Sequence, residues 1–424
     1  MKRIIAKICY VWLIIFMLAS QRSTVCADDV DNEDFLEPSI EKKITNGLID
    51  VSSNNITEQP KTNSRRYVVY DRISKTIIMG KDENVKSAMA STTKVMTATI
   101  VLENTSLDEE VTVSGKAGGT GGSRLGVKKG DKITVNDLLY GLMLRSGNDA
   151  AVALAEHVGG SVEKFADMMN QKAEEIGLNN THFVTPHGLD NSEHYTTAYE
   201  LAKLTDYALQ NETFANIVGT KVATIYINDR TMQITNTNEL LGVLNGVVGV
   251  KTGFTNNAGR CLVTETKRNN MDIITVVLGA DTKKFRTNDS IKLIEYTFSN
   301  YEMVNIQTKI LEEFTNWKNI NEKRINVIQG KKEYLNPTLG EIELQTIPVE
   351  KDKIDNIQYE INTIISIEAP VEPWQKIGNI VVKIDDKIIE KVEIINTEPI
   401  EKKSWRDYFE YLLEKLTEVS CLKW

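Results

Sequence analysis

The apolar positions of this chain fall into three regimes. The first is a single run, residues 9–19 (CYVWLIIFMLA), behind Lys2, Arg3 and Lys7. A basic start, a short apolar core and the small residues Val25-Cys26-Ala27 predict an export signal over residues 1–27, cut to leave Asp28 first. An uncleaved membrane anchor is the rival reading, but the run is shorter than the roughly 20 apolar residues that a span needs. Ser23-Thr24-Val25 ahead of Cys26 is a poor lipoprotein signal. Residues 28–63 then lose periodicity. They are rich in Asp, Glu, Asn and Ser, with Pro38 and Pro60, and read as a disordered tether.

The second regime mixes helical and strand periods over residues 64–300. Residues 66–71 and 76–79 read as two strands around a turn at Ser74 and Lys75. Residues 91–103 are helical, with Val95, Ala98, Ile100 and Leu102 on or near one face. Residues 133–144 and 150–158 are helices, and 161–176 is a third that stops at Gly177. Residues 240–250 lead into Lys251. Residues 260–266 and 271–278 form an apolar hairpin, and 290–298 closes the region as a helix.

The third regime begins near Tyr301, where short alternating runs at 325–328, 341–347, 361–367 and 380–395 predict a small β domain over 303–398. Asp385-Asp386 between two apolar runs is a hairpin signal. The last stretch, 404–424, is helical again. Trp405, Tyr408, Phe409, Leu412, Leu413, Leu416 and Val419 share one face, while Arg406, Asp407, Glu410, Glu414, Lys415 and Glu418 lie on the other.

Composition narrows the picture only a little. The 424 residues suffice for two or three domains, and 41% hydrophobic with 26% charged residues is ordinary for a soluble protein. A net charge of −9, with no basic run, excludes a nucleic-acid-binding surface of the usual kind. Removal of the signal leaves only Cys261 and Cys421, which make no disulfide framework.

Three short motifs carry the chemistry: Ser91-Thr92-Thr93-Lys94, Ser146-Gly147-Asn148 and Lys251-Thr252-Gly253, in that order. The S-x-x-K pattern also occurs at Ser39, Ser161 and Ser420, and S-x-N at Ser52 and Ser53, so each alone is weak. The ordered trio is specific to enzymes that acylate a serine with penicillin-like or D-alanyl substrates. On a helix Ser91 and Lys94 share a face, which sets an amine beside a hydroxyl. A serine needs a base to become a nucleophile, and a lysine is a base only when neutral. Its pKa must fall by about three units, roughly 4 kcal/mol of differential interaction. Burial and the charge of Lys251 are the two available causes. Ser146 can relay a proton to the leaving amine, and Asn148 can bind a substrate amide. Lys251 and Thr252 suit a carboxylate, and Gly253 lets a strand edge approach a ligand. The backbone amides of Ser91 and Phe254 are the natural pair of oxyanion donors.

These motifs sit in segments with a familiar look. MASTTKVMTA (89–98), LMLRSGNDAAVALAE (142–156), NTHFVTPHGLD (180–190) and GVKTGFTNNAGRCLV (249–263) resemble the D-alanyl-D-alanine carboxypeptidases among the low-molecular-mass penicillin-binding proteins. IEAPVEPWQKIGNIVVKID (367–385) resembles, more loosely, that family's C-terminal domain. The resemblance implies an α/β fold: a serine β-lactamase/transpeptidase-like sandwich, then a small all-β domain and a C-terminal amphipathic helix. It implies Ser91 as the acylated nucleophile, Lys94 as proton acceptor, Ser146 as a second catalytic residue and Lys251 as a substrate-binding residue. It implies no cofactor, a peptidoglycan stem peptide and β-lactam antibiotics as partners, and a place outside the cytoplasmic membrane or in the cell wall space. Phe254 departs from the broader family, where His or Tyr also occur.

Weaker signals have plainer explanations. His182, His187 and His194 have a spacing that metal sites use, but no H-E-x-x-H accompanies them, so His187 reads as a loop brace and no metal is expected. Glu175-Ile176-Gly177-Leu178-Asn179 mimics the deacylation motif of class A β-lactamases, yet it lies at a helix end. The glycines at 118–122 lack the G-K-[ST] of a phosphate loop and read as a flexible loop near the site. The terminal helix either packs on a neighbour or lies in the plane of a membrane, and the resemblance favours the membrane. A β-lactamase, a DD-endopeptidase and a silent penicillin-binding scaffold remain as alternatives to a carboxypeptidase.

Overall fold

The computed structural model describes residues 43–45, 48–50 and 59–421. The expected export signal lies outside them. Within the expected tether, Lys43–Thr45 pairs antiparallel with Leu48–Asp50, so this stretch is not wholly without structure. At its end Asn63 and Ser64 donate backbone N–H bonds to the Asp289 carboxylate at 3.2 and 2.7 Å.

The chain divides into two units, Met1–Ser299 and Asn300–Trp424. The first is built on strands β1 (Arg66–Asp71), β2 (Thr76–Lys81), β3 (Val247–Thr255), β4 (Gly259–Arg268) and β5 (Met271–Ala280). They form one antiparallel sheet in the order β2-β1-β5-β4-β3. β5 and β4 are buried nearly throughout, which their runs of Val, Ile, Leu and Thr permit, with the one buried acid of β4, Glu265, paired to Arg72.

The helices are α1 (Lys94–Asn104), α2 (Val135–Leu144), α3 (Asn148–Gly159), α4 (Val162–Glu175), α5 (Ala198–Ala208), α6 (Glu212–Gly219) and α7 (Lys283–Asn300). α1 lies among α2, α3, α4 and α5, and α5 also packs on β1 and β5. Every residue from Lys94 to Val101 is buried, so α1 meets solvent only in its last turn, and burial there goes beyond the one face expected from Val95, Ala98, Ile100 and Leu102. Its inward threonines donate to backbone carbonyls: Thr97 Oγ1 to Pro186 O at 2.6 Å, from a distant loop, and Thr99 Oγ1 to Val95 O, one turn back, at 2.9 Å.

Two further expectations shift. Ile133 lies in a strand, Lys132–Thr134, and the helix begins at Val135, because Thr134 Oγ1 caps the Asp137 N–H. Ser146 and Gly147 do form a turn, but Asn148 is already the first residue of α3.

The second unit contains a helix that the alternation did not predict: α8 (Ile306–Asn321). Its Ile306, Ile310 and Phe314 join a core with Ile380, Val382, Val392 and Ile394. Strands β6 (Ile357–Thr363), β7 (Gln375–Ile384) and β8 (Lys387–Asn396), with Pro337–Leu339, make a four-stranded antiparallel sheet. Asp385 and Asp386, at φ 46° and 65°, form the tight turn expected between β7 and β8. The run at 341–347 becomes a strand only from Thr346, where Thr346–Glu350 pairs with Tyr301–Asn305. Helix α9 (Trp405–Cys421) follows, and Trp405, Tyr408, Phe409, Leu412, Leu413 and Leu416 are all exposed on it. No helix among the described residues is long and apolar enough to cross a membrane.

Candidate active site

Ser91 sits in a 3-10 turn, Ala90–Thr93, which runs directly into α1. In such a turn residues three apart are eclipsed, so Ser91 and Lys94 face each other even though the α-helix starts only at Lys94. The turn is built by its own side chains. Thr92 Oγ1 donates to Met89 O at 2.6 Å, and Thr93 Oγ1 to Ala90 O at 2.8 Å, with Ala90 at φ 48°.

Lys94 is fully buried. Its Nζ lies 2.9 Å from Ser91 Oγ, 2.7 Å from Asn148 Oδ1 and 2.9 Å from His187 O. Burial first and Lys251 second push its pKa well below the ordinary lysine value, and Asp149 opposes them weakly. A neutral amine has two N–H groups and one lone pair. The carbonyl of His187 can only accept. Asn148 is oriented with Oδ1 toward the amine, because its Nδ2 donates to Gly121 O at 2.8 Å. The two N–H groups therefore go to Asn148 and His187, and the lone pair faces the Ser91 hydroxyl.

The remaining predicted residues converge here. Ser146 is in the left-handed region, at φ 60°, and its buried Oγ has no hydrogen-bond partner among the described residues. A strained backbone holding an unpaired hydroxyl is a feature of functional sites. Lys251 and Thr252 are buried on β3, the edge strand. Lys251 Nζ donates to Thr252 O at 3.0 Å, and Thr252 Oγ1 meets Thr237 Oγ1 at 2.7 Å. A Cβ on Gly253 would stand 3.1 Å from Ser91 N and 3.2 Å from Ala90 Cβ. This glycine therefore lets the strand lie against the serine turn itself, bringing the Ser91 amide beside the segment that ends in Phe254. The Phe254 ring lies under the Arg260 guanidinium, 3.8 Å from the centroid, across the β3–β4 ladder.

Other groups complete the site with little or no signal in the sequence. Asp149 is fully buried and accepts N–H bonds from Leu125 at 2.8 Å and Gly126 at 2.7 Å, fixing the loop that follows the glycines at 118–122. An acid in the first turn of a helix reads as ordinary dipole complementation, which hides this second task. His194 is buried beneath the serine turn. Its Nδ1 accepts the Val184 N–H at 2.9 Å, so its Nε2 carries the proton and meets Thr93 Oγ1 at 2.7 Å. Burial holds His194 down to about 4, and burial and Lys94 hold His187 down to about 3. His187 Nδ1 accepts the Leu189 N–H at 3.2 Å, and His182 Nδ1 meets Glu193 O at 2.5 Å. The three histidines thus brace loops. Glu175 is exposed at the end of α4, paired with Lys172 at 2.6 Å. Cys261 is buried in β4, and the Cys421 side chain lies outside the described residues.

Comparison with known proteins agrees with this geometry. Residues 53–282 match the family model described as D-alanyl-D-alanine carboxypeptidase, and residues 318–402 match the penicillin-binding protein 5 C-terminal domain. The chain is 32% identical over 341 residues to D-alanyl-D-alanine carboxypeptidase DacF of Bacillus subtilis, covering 79% of this chain and 85% of the relative. It is 33% identical over 369 residues to DacC of Escherichia coli, covering 81% and 86%. Among solved structures, the D-alanyl-D-alanine carboxypeptidase DacD from Francisella tularensis superposes with a TM-score of 0.68 at 28% identity, covering 84% of this chain and 97% of that one. With a mixed α/β unit that gathers the three motifs around one buried lysine, followed by a second unit of matching type, this chain belongs to the D-alanyl-D-alanine carboxypeptidase family.

Proposed function

We propose that this protein removes the terminal D-alanine from peptidoglycan stem pentapeptides through an acyl-enzyme on Ser91, and that β-lactams acylate the same oxygen. The observation that carries the reading is the fully buried Lys94 Nζ, 2.9 Å from Ser91 Oγ, with its other two neighbours, Asn148 Oδ1 and His187 O, both acceptors. Lys94 takes the hydroxyl proton as Oγ attacks the penultimate carbonyl. The amides of Ser91 and Phe254 hold the oxyanion. Ser146, with its unspent hydrogen bond, passes a proton to the departing D-alanine. Lys251 and Thr252 receive the terminal carboxylate, and Asn148 receives a substrate amide. Water then hydrolyses the ester.

The same scaffold serves a β-lactamase if drug-derived acyl groups leave quickly. Glu175, the residue that sequence likeness offers as a water-activating base, is tied to Lys172 on the helix surface. The drug adduct is therefore expected to persist for minutes or longer, and Glu175→Gln to leave its lifetime within about twofold. Mass spectrometry of the mature protein with penicillin, then with a D-Ala-D-Ala peptide, measures both. One drug mass on the Ser91 peptide and release of free D-alanine are expected. Rapid drug turnover that collapses in Glu175→Gln favours the β-lactamase instead.

We also propose that the protein is exported and held on the outer face of the membrane by α9. Its aromatic and leucine side chains are exposed, which supports a lipid contact over packing within the chain. A chain ending at Ile400 should keep catalytic activity and stay soluble, while the full mature chain sediments with lipid vesicles. Acids outnumber bases on the polar face, so added salt should change sedimentation little. Equal partitioning of the two chains excludes the anchor.

A further inference from the structure

Trp374 is the third residue of a tight turn, Glu372-Pro373-Trp374-Gln375, in which Gln375 N–H donates to Glu372 O at 3.3 Å. Its φ is 66°, in the left-handed region that this position of a type II turn requires and that glycine adopts freely. A bulky residue there is held against its steric preference. The conformation is pinned, since Trp374 N–H donates to Asn396 O at 2.7 Å. Yet the indole gains little packing in return, for Trp374 is 67% exposed. As a folding device it is inferior to glycine, so its use is directed outward.

Its surroundings indicate the partner. Ile365 is 84% exposed. Thr363 of β6 is opposite Gly378 of β7, and Ile364 N–H donates to Ile377 O at 3.0 Å. Ile365 therefore lies at the end of the sheet where β7 starts, one residue after Trp374. The chain departs for α9 at this same end: Val371 pairs with Ile400, and Gly330 with Lys402. It enters the unit at the opposite end, where Tyr301 and Glu350 share a cleft with Ile384 and Asp385. Around the exit, Lys331, Lys332, Lys376 and Lys402 are paired with Glu401, Glu398, Glu393 and Glu368. Each of these lysines is matched by a glutamate, and Trp374 and Ile365 are the large apolar groups that protrude at this end, with Glu372 exposed in the same turn.

We propose that Trp374 and Ile365 form a second lipid contact which, with the apolar face of α9, seats this end of the unit in the membrane interface. The inference rests on the reading of α9 as an in-plane membrane helix. An indole favours the headgroup level of a bilayer. An isoleucine at the same end of the sheet suits the acyl boundary and offers a sugar nothing to hydrogen-bond. With α9 alone the unit could pivot about one line of attachment, and a second contact fixes its tilt.

The experiment uses the full mature chain and vesicles of phosphatidylethanolamine and phosphatidylglycerol. Trp374→Gly suits the turn, so the melting temperature should hold or rise, while the vesicle partition coefficient falls roughly tenfold, the scale of one partly buried indole. In a Cys421→Ser background, an environment-sensitive dye on Ile365→Cys should shift to the blue on vesicles, as should one on Leu412→Cys in α9. A shift at 412 alone, with Trp374→Gly binding like wild type, overturns this inference and leaves the anchor standing. No shift at either position overturns both. A shift at 365 without lipid, with glycan strands added or with a dimer seen by light scattering, gives the surface to a sugar or a second copy and also overturns it.

Discussion

Lys94→Arg is expected to slow acylation of Ser91, by β-lactams and by D-alanyl peptides alike, on the order of 10²-fold or more, the scale of general-base catalysis. Guanidinium gives up no proton at accessible pH, so the variant has no base at this position; it also puts a permanent charge into a fully buried site, a cost that the melting curves read separately from the labelling rate. Ser91→Ala sets the floor, with no adduct at all. The pH dependence follows from the direction of the Lys94 shift. Its pKa in the folded protein is lowered by burial and by Lys251, so wild-type acylation should be lost as pH falls through that lowered value and be level above it. Stability follows the same sign. Between the lowered folded pKa and the ordinary unfolded one, the unfolded chain binds the extra proton, so stability rises with pH across that window. Below it, lysine is charged in both states and the full cost of burying the charge remains. Lys94→Arg, always charged, should lack this rise. Rapid-quench labelling and melting curves across pH measure both effects. An arginine variant that acylates at near wild-type rate removes Lys94 as the base.

Gly188→Ala is the second substitution expected to have a large effect. At φ 85° a Cβ on Gly188 would stand 1.9 Å from Ala90 O and 2.6 Å from Thr93 Oγ1. Both atoms belong to the serine turn, and neither can yield without moving Ser91. A loss of roughly 3 kcal/mol or more is expected, combining clash and backbone strain, together with slower penicillin labelling. Gly126→Ala is the control. It too has positive φ, 99°, but nothing within 4 Å, so only the left-handed cost of roughly 1–2 kcal/mol applies. Denaturant unfolding of the two variants separates clash from conformation. Equal losses mean that the loop around 188 gives way and the turn is not clamped.

The site was legible where its parts are contiguous. Ser91 with Lys94, and Lys251 with Thr252 and Gly253, are each fixed by one local element, so spacing alone predicts what they can do together. Even the need for a depressed lysine pKa follows from chemistry before any coordinates. His194 is different. It reaches Thr93 across a separation of 101 residues, and no local pattern encodes that meeting. Gly188 reads as loop punctuation until the Ala90 carbonyl appears beside it. The fold shows the same division. β1, β4, β5 and the β7–β8 hairpin follow from apolar runs and turn residues. Helix α8 does not stand out, because Ile306, Ile310 and Phe314 are spaced among Gln, Lys and Glu just before a long alternating region. Helix α1 was legible as a helix, but the burial of all its residues from Lys94 to Val101 was not, because threonines and a lysine among them read as a polar side.

The strand that carries Lys251, Thr252 and Gly253 is the last of its sheet. An edge strand presents alternate N–H and C=O groups to whatever lies beside it, which in many proteins invites aggregation. Here the serine turn lies against the face of that strand at Gly253, which leaves the outer edge of β3 without a further strand. A peptide lying extended along that edge would bond to β3 as a further strand, through groups that every residue possesses. Only its free end would meet Lys251 and Thr252. Such a site would select where a chain stops and how its last centres are configured, and would be largely indifferent to the side chains that precede them.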